Sequence, residues 1–102
     1  MILINTTFHV HCAIARDFVT WLKEVYIPEA TGHHLISAPV LCRVLGGDDP
    51  DGISYAMQLA CPNLKEARQW HDNEGADLRA RMLRRWGNKV LFFTTYLEKL
   101  DI

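Results

Sequence analysis

Cysteine is scarce in this chain: 102 residues hold three, Cys12, Cys42 and Cys61, far apart and without a C-x-x-C pair. An odd and scattered set suits neither a disulfide framework nor a closed zinc site, so free thiols in a cytoplasmic setting are expected. Long apolar runs are missing too. No stretch approaches the roughly 18 residues a spanning helix needs, so no membrane partner is expected. The opening Met1-Ile2-Leu3-Ile4-Asn5-Thr6-Thr7 has no basic start and no small-residue cleavage pattern, so it is not expected to be a signal peptide. Charge of one sign is also lacking: 11 basic residues face 12 acidic ones, for a net charge of −1. That balance removes the broad electrostatic case for nucleic acid or an anionic surface. Arg79, Arg81, Arg84 and Arg85 spread around one helical segment and read as solvated surface. There is no phosphate-binding glycine loop, nucleophile elbow or catalytic carboxylate pair.

What is present is ordinary globular material. The chain is 49% hydrophobic and has the length of one domain, residues 1–102, with no linker or repeat to divide it. Ile2 to His11 alternates as a strand, with Ile2, Ile4, Thr6, Phe8 and Val10 on one face and Leu3, Asn5, Thr7, His9 and His11 on the other. From Ala13 to Tyr26 the period becomes helical through Phe18, Trp21, Leu22, Val25 and Tyr26. Pro28 disfavours helical geometry at Ile27, so the helix is expected to stop or kink there, with one further turn ending at Thr31-Gly32.

Ile36–Leu45 and Ile53–Cys61 read as strands of a hairpin around the turn formers Gly46 to Gly52. Asn63, with Glu66 three residues on, is a capping box opening a second helix. Its apolar stripe is Leu64, Ala67, His71, Gly75, Leu78, Met82 and Trp86, with Trp70 on the flank beside Glu74, Asp77 and Arg81. At Gly75 a local break or a close packing contact is expected. Gly87-Asn88 ends the helix, and Lys89 to Leu100 forms the last strand.

Two strand-helix-strand halves joined by a hairpin make the split βαβ pattern of an α+β, ferredoxin-like sandwich. Right-handed crossovers place the first and third strands at the centre of a four-stranded antiparallel sheet, with two helices on one face. The other face is left bare. In the last strand Leu91, Phe93 and Leu97 alternate with Val90, Phe92 and Tyr96, so large apolar groups meet water whichever set faces the helices. The second strand repeats this with Leu41 and Leu45 opposite Val40 and Val44. A second copy covers such a patch most simply, so a homodimer through the open sheet face is expected.

The element order, the length, and the stretches Trp21-Leu22-Lys23-Glu24-Val25-Tyr26-Ile27-Pro28-Glu29 and Leu41-Cys42-Arg43-Val44-Leu45 together resemble a bacterial family of about 100 residues, a domain of unknown function. The resemblance spans nearly the whole chain and implies the dimeric α/β-barrel architecture. Small monooxygenases, haem-degrading enzymes and polyketide cyclases share that architecture, and fold alone does not choose among their activities. The haem-degrading members carry an asparagine on the first strand and a tryptophan on the second helix, which Asn5 and Trp70 match. Where they place an iron-ligating histidine this chain has Ala80, and it offers only His71 beside Trp70. No cofactor is therefore expected.

Candidate residues fall in two places. On the helix side, His71 is the best candidate for a general acid or base, and Trp70 is the group that can stack on a flat ligand. On the open face, Asn5, Thr7, His9 and His11 form a polar band, and Arg43, set among apolar residues, calls for an ion pair across the dimer or an anionic ligand. His9 and His11 have the spacing of metal ligands, but no third ligand is placed nearby, so no metal is expected. His33-His34 reads as a solvated loop. Three functions stay open: a small, mostly apolar ligand held in the helix-sheet cleft or the dimer interior, a small monooxygenase-like enzyme, or an interaction module without a ligand.

Overall fold

The first strand, β1 (Ile2–His11), buries Ile4, Thr6, Phe8 and Val10 and leaves Leu3, Asn5, Thr7 and His9 half-exposed, so its alternation is the one the sequence carries. The computed structural model describes all 102 residues. After a short 3₁₀ turn (Cys12–Ile14) come α1 (Ala15–Trp21), a wide π turn (Leu22–Tyr26) and α2 (Ile27–Thr31), which run on from one another. Of the stop or kink expected at Pro28 the stop does not occur, and the further turn ends at Thr31-Gly32 as expected. The Ile27 N–H reaches back five residues to the Leu22 carbonyl, and the wide turn includes Glu24, whose carbonyl the Pro28 ring would meet in a regular helix. The helix thereby absorbs its proline and keeps Trp21, Leu22, Tyr26 and Ala30 buried.

Strand β2 (Ser37–Arg43) is shorter than the sequence pattern suggested, and it shifts register between Ser37 and Val40. Ala38 takes a positive φ of 51° there and Pro39 cannot donate to a ladder, which together confine β2 to an edge. Strand β3 (Gly52–Cys61) follows, then α3 (Leu64–Asp72), α4 (Glu74–Trp86) and β4 (Val90–Glu98). The Asn63 side chain caps α3 by accepting from the Glu66 N–H at 2.9 Å. All neighbours in the sheet are antiparallel, in the order β2-β3-β1-β4, so β1 and β3 are central as expected.

The second helix breaks at Asn73 (φ −107°, ψ −84°), and this corrects its expected stripe. In α3 the buried residues are Ala67 and Trp70, whereas in α4 they are Gly75, Leu78, Met82 and Trp86. A single 3.6-residue period drawn through both segments put His71 on the stripe and Trp70 on the flank. The break resets the phase, so Trp70 is a core residue with 3% exposure. Gly75 supplies the close contact as well: a Cβ there would lie 3.2 Å from Trp70 Cζ3 and 3.0 Å from Arg79 Nη1.

Both helical segments lie on one face of the sheet, over a core of 19 buried residues. Phe8 is at its centre, with ring centroids 5.2 Å from Phe18, 6.3 Å from Tyr26 and 6.5 Å from Phe92. Trp86 joins through Phe18 and Trp21 at 5.3 and 5.5 Å. Burial pushes the Tyr26 hydroxyl up to about 12, so that phenol stays neutral. The opposite sheet face has no cover. Leu91, Phe93 and Leu97 of β4 are 63%, 60% and 40% exposed, while Val90, Phe92 and Tyr96 turn toward the helices.

Candidate functional site

The registers assemble the open face around His9. His9 stands opposite Ser54 of β3 and Leu91 of β4, Thr7 opposite Ala56 and Phe93, and Asn5 opposite Gln58 and Thr95. The polar groups of β1 bond to neighbouring elements: the Asn5 side-chain amide donates to Thr95 Oγ1 of β4 at 3.4 Å. His9 is held at both ring nitrogens, with Nδ1 2.7 Å from Ser54 Oγ and Nε2 2.8 Å from Asp49 Oδ2.

Asp49 arrives from the β2–β3 turn, which is pinned over the end of β1. Its Oδ1 accepts from the Asp51 N–H at 2.9 Å, and the Asp51 carbonyl accepts from the Cys12 N–H at 2.7 Å. The hydrogen bond from His9, joined by the one from Asp51, holds the Asp49 carboxyl below the usual carboxylate range, so it is an anion at neutral pH. An ionised carboxylate can only accept, so the His9 proton sits on Nε2, and Nδ1 is left to accept from the Ser54 hydroxyl. Gly52 makes this arrangement possible, because a Cβ at that position would overlap both His9 Nε2 and Asp49 Oδ2.

Two cavities meet at His9 and Ser54. One, of about 400 Å³, lies under the β2–β3 turn and is lined by His9, Ser54, Asp49 and Arg43 together with turn backbone. The other, of about 290 Å³, is bounded by Thr7, His9, Ser54, Leu91 and Phe93 and is the more apolar. Arg43 does have the apolar neighbours expected, Leu41 on the same side of its strand and Tyr55 in register on β3, but both pack on the helix-side core, so Arg43 lies on that side and not on the open face. It is exposed where the edge strand ends, so it needs no buried partner. His11 Nδ1 accepts from the Ala13 N–H at 3.1 Å, and His11 borders a further cavity, of about 320 Å³, together with His9 and Asp49.

On the helix side the expected pair separates. Trp70 is packed inside, leaving almost none of its ring to stack on a ligand, and its buried Nε1 has no acceptor. It lines a cavity of about 480 Å³ together with Glu29, Asn73, Glu74, Asp77 and Leu78. Arg81 spans the rim of that cavity, its Nη1 donating to Glu29 Oε1 at 3.1 Å and its Nε lying 3.3 Å from Asp77 Oδ2. The Arg81 contact holds the Glu29 carboxyl low.

His71 lines none of the five cavities. It is half-buried against Tyr96, with centroids 5.8 Å apart, and its Nδ1 is 3.1 Å from Arg79 Nη1. Burial, with the Arg79 charge, pushes its pKa below the ordinary 6.5. Its Nδ1 is already spent as an acceptor, so the ring is better placed to fix Arg79 than to exchange protons with a ligand. A pH effect follows. Below about 6.5 the unfolded chain binds the His71 proton more readily than the fold does, so stability present at neutral pH falls as the pH is lowered through that range. His71→Gln is expected to flatten this part of the urea-midpoint profile between neutrality and about pH 5, ahead of the carboxylate titrations.

Asp49 and Ser54 are the residues that sequence reasoning passed over. Asp49 sat in a turn-forming cluster, and Ser54 was one polar residue in an apolar strand. The usable signal was Gly52 at the start of β3, a glycine that leaves room for a side chain from β1.

Fold and open face together define a ferredoxin-like α+β domain. The chain belongs to the family described as Domain of unknown function (DUF4286), which it matches over residues 1–100. Two solved structures are similar in fold. An ethyl tert-butyl ether d (ethd) family protein from Bacillus halodurans C-125 shares 10% identity, with 98% of this chain and 100% of that one covered and a TM-score of 0.65. A dimeric ferredoxin-like protein from an uncultured marine organism shares 12% identity, with 99% and 98% covered and a TM-score of 0.58. No curated protein sequence matches the chain. No helix is long and apolar enough to cross a membrane.

Proposed function

We propose that the chain forms a homodimer through its open sheet face and holds a small, mostly apolar ligand between the two sheets, against His9. The observation that carries this reading is the row Leu91, Phe93 and Leu97, which stays 40–63% exposed along one strand beside a cavity floored by His9 and Ser54. A face with this composition gains most from its own copy, since a two-fold contact sets the same apolar row on both sides. The dimeric ferredoxin-like neighbour supports such pairing.

The cavity chemistry sets the ligand class. Leu91 and Phe93 offer apolar walls, and the polar groups at the floor are few and fixed in orientation, the usual division of labour in a small-molecule site. Asn5 lies farther along the same face, one polar group more for a longer ligand. A monooxygenase-like use of the helix side has less behind it, because Trp70 is packed into the core and His71 meets no cavity.

A fluorescence titration with N-phenyl-1-naphthylamine tests the ligand reading. Saturable, blue-shifted binding is expected for the wild type, and Thr7→Phe, which fills the cavity beside Phe93, is expected to abolish it while light scattering still reports a dimer. A dimer that binds no probe favours the interaction-module reading instead. Undiminished binding in T7F would place the ligand elsewhere.

A further inference from the structure

We propose that Asp49, His9 and Ser54 form a serine acyl-transfer centre, with small carboxylic esters of apolar acyl groups as its substrate class. The three side chains make one continuous chain, Asp49 Oδ2 to His9 Nε2 at 2.8 Å and His9 Nδ1 to Ser54 Oγ at 2.7 Å. With the ring proton committed to Asp49, His9 Nδ1 is the base that faces the Ser54 hydroxyl. A carboxylate orients an imidazole, and the imidazole accepts a hydroxyl proton. Such a constellation is recognised by its geometry and roles, and not by chain order; here Nδ1 faces the serine and Nε2 the carboxylate, the reverse of the usual triad.

The surroundings supply the other requirements. Ser54 opens onto the apolar cavity, where Leu91 and Phe93 can hold an acyl chain, and onto the polar one beneath the turn. The backbone N–H groups of Leu45, Gly46, Gly47 and Asp48 make no hydrogen bond within the chain, and these residues line the polar cavity. They are donors available to a developing oxyanion. Gly52 shows that the arrangement is specific, since any larger residue there would displace the His9–Asp49 contact.

The chemistry balances within these groups. Ser54 Oγ bonds to the ester carbonyl carbon as its proton passes to His9 Nδ1, and the carbonyl π pair moves to oxygen. Collapse of that oxyanion breaks the bond to the leaving alkoxide, which takes the proton from His9 and departs as an alcohol. Water then attacks the acyl-Ser54 carbonyl, giving a proton to His9, and the acid leaves as Ser54 regains its proton. The ligand class rests on the preceding reading, but all three residues lie in one protomer, so the centre does not depend on the dimer.

The experiment treats the full chain with an alkyl fluorophosphonate and, separately, with p-nitrophenyl butyrate, and measures the oligomeric state of the same sample by light scattering. The expected result is a single phosphonyl group on Ser54, located by peptide mass spectrometry, with ester turnover. Ser54→Ala is expected to abolish both. His9→Gln is expected to slow labelling by about a hundredfold or more with an unchanged circular dichroism spectrum, the scale of a lost general base. An unlabelled Ser54, or one labelled equally fast in H9Q, overturns the proposal. An unlabelled dimer overturns this centre alone, whereas a labelled monomer upholds the centre and removes the dimer.

Discussion

Phe93→Glu is expected to convert the proposed dimer to a monomer without unfolding the chain. Phe93 is 60% exposed on β4, so the fold itself owes it little, and the change should leave the melting temperature of the monomer nearly unaltered. In the dimer the same residue is covered, and two-fold symmetry counts the substitution twice. Burying a large apolar side chain is worth about 1.5–3 kcal/mol, so losing two of them removes about 3–6 kcal/mol before any cost of desolvating the new carboxylates. At about 1.4 kcal/mol per tenfold, dimer affinity drops by at least about a hundredfold. Sedimentation velocity across a dilution series reads this directly. A variant that still sediments as a dimer would move the interface away from the open face.

Phe8→Ala has the largest expected effect on the fold. Phe8 is fully buried and meets Phe18 and Tyr26 edge-on, with Phe92 tilted against it. Truncating a buried phenylalanine costs about 3–5 kcal/mol through lost transfer energy and the cavity left behind. Domains of this size have about 5–15 kcal/mol in total, so much of the stability goes. Each kcal/mol corresponds to about 4–8 °C for a domain near 100 residues, which predicts a drop of at least about 12 °C in calorimetry at fixed protein concentration. A drop of only a few degrees would mean that the helices collapse onto β1 without this ring cluster.

These two residues show what was legible from the chain. Phe8 and Phe93 lie on strands whose two-residue period separates the two faces, so the case for a partner could be read, but in β4 both faces are apolar and alternation alone did not say that Phe93, and not Phe92, lies on the bare one. Helical phase was less secure. Trp70 and His71 exchanged roles because the break at Asn73 resets the helical phase; Gly75, two residues on, signalled a local break, but one period was still drawn across it. Pro28 failed as a stop for the opposite reason. Its cost is local, and one wide turn stabilised by the buried Leu22 and Tyr26 was enough to absorb it.

The site itself depends on register and on a turn. His9 was visible as a face residue of β1, but its partners come from a strand 45 residues on and a turn 40 residues on. Alternation says which face Ser54 takes, and not that it stands opposite His9. The hairpin turn conceals Asp49 in the same way, since aspartate is what a turn of this composition would contain in any case. Arg43 looked buried because β2 was read two residues too long at its C-terminal end, and the structure ends the strand at that residue.

The central claim is that the open sheet face is covered by a second copy of the chain. Light scattering coupled to size exclusion, at micromolar concentration, tests it most directly. A mass of twice the 11.7 kDa chain is the predicted result, and a mass of 11.7 kDa would contradict it.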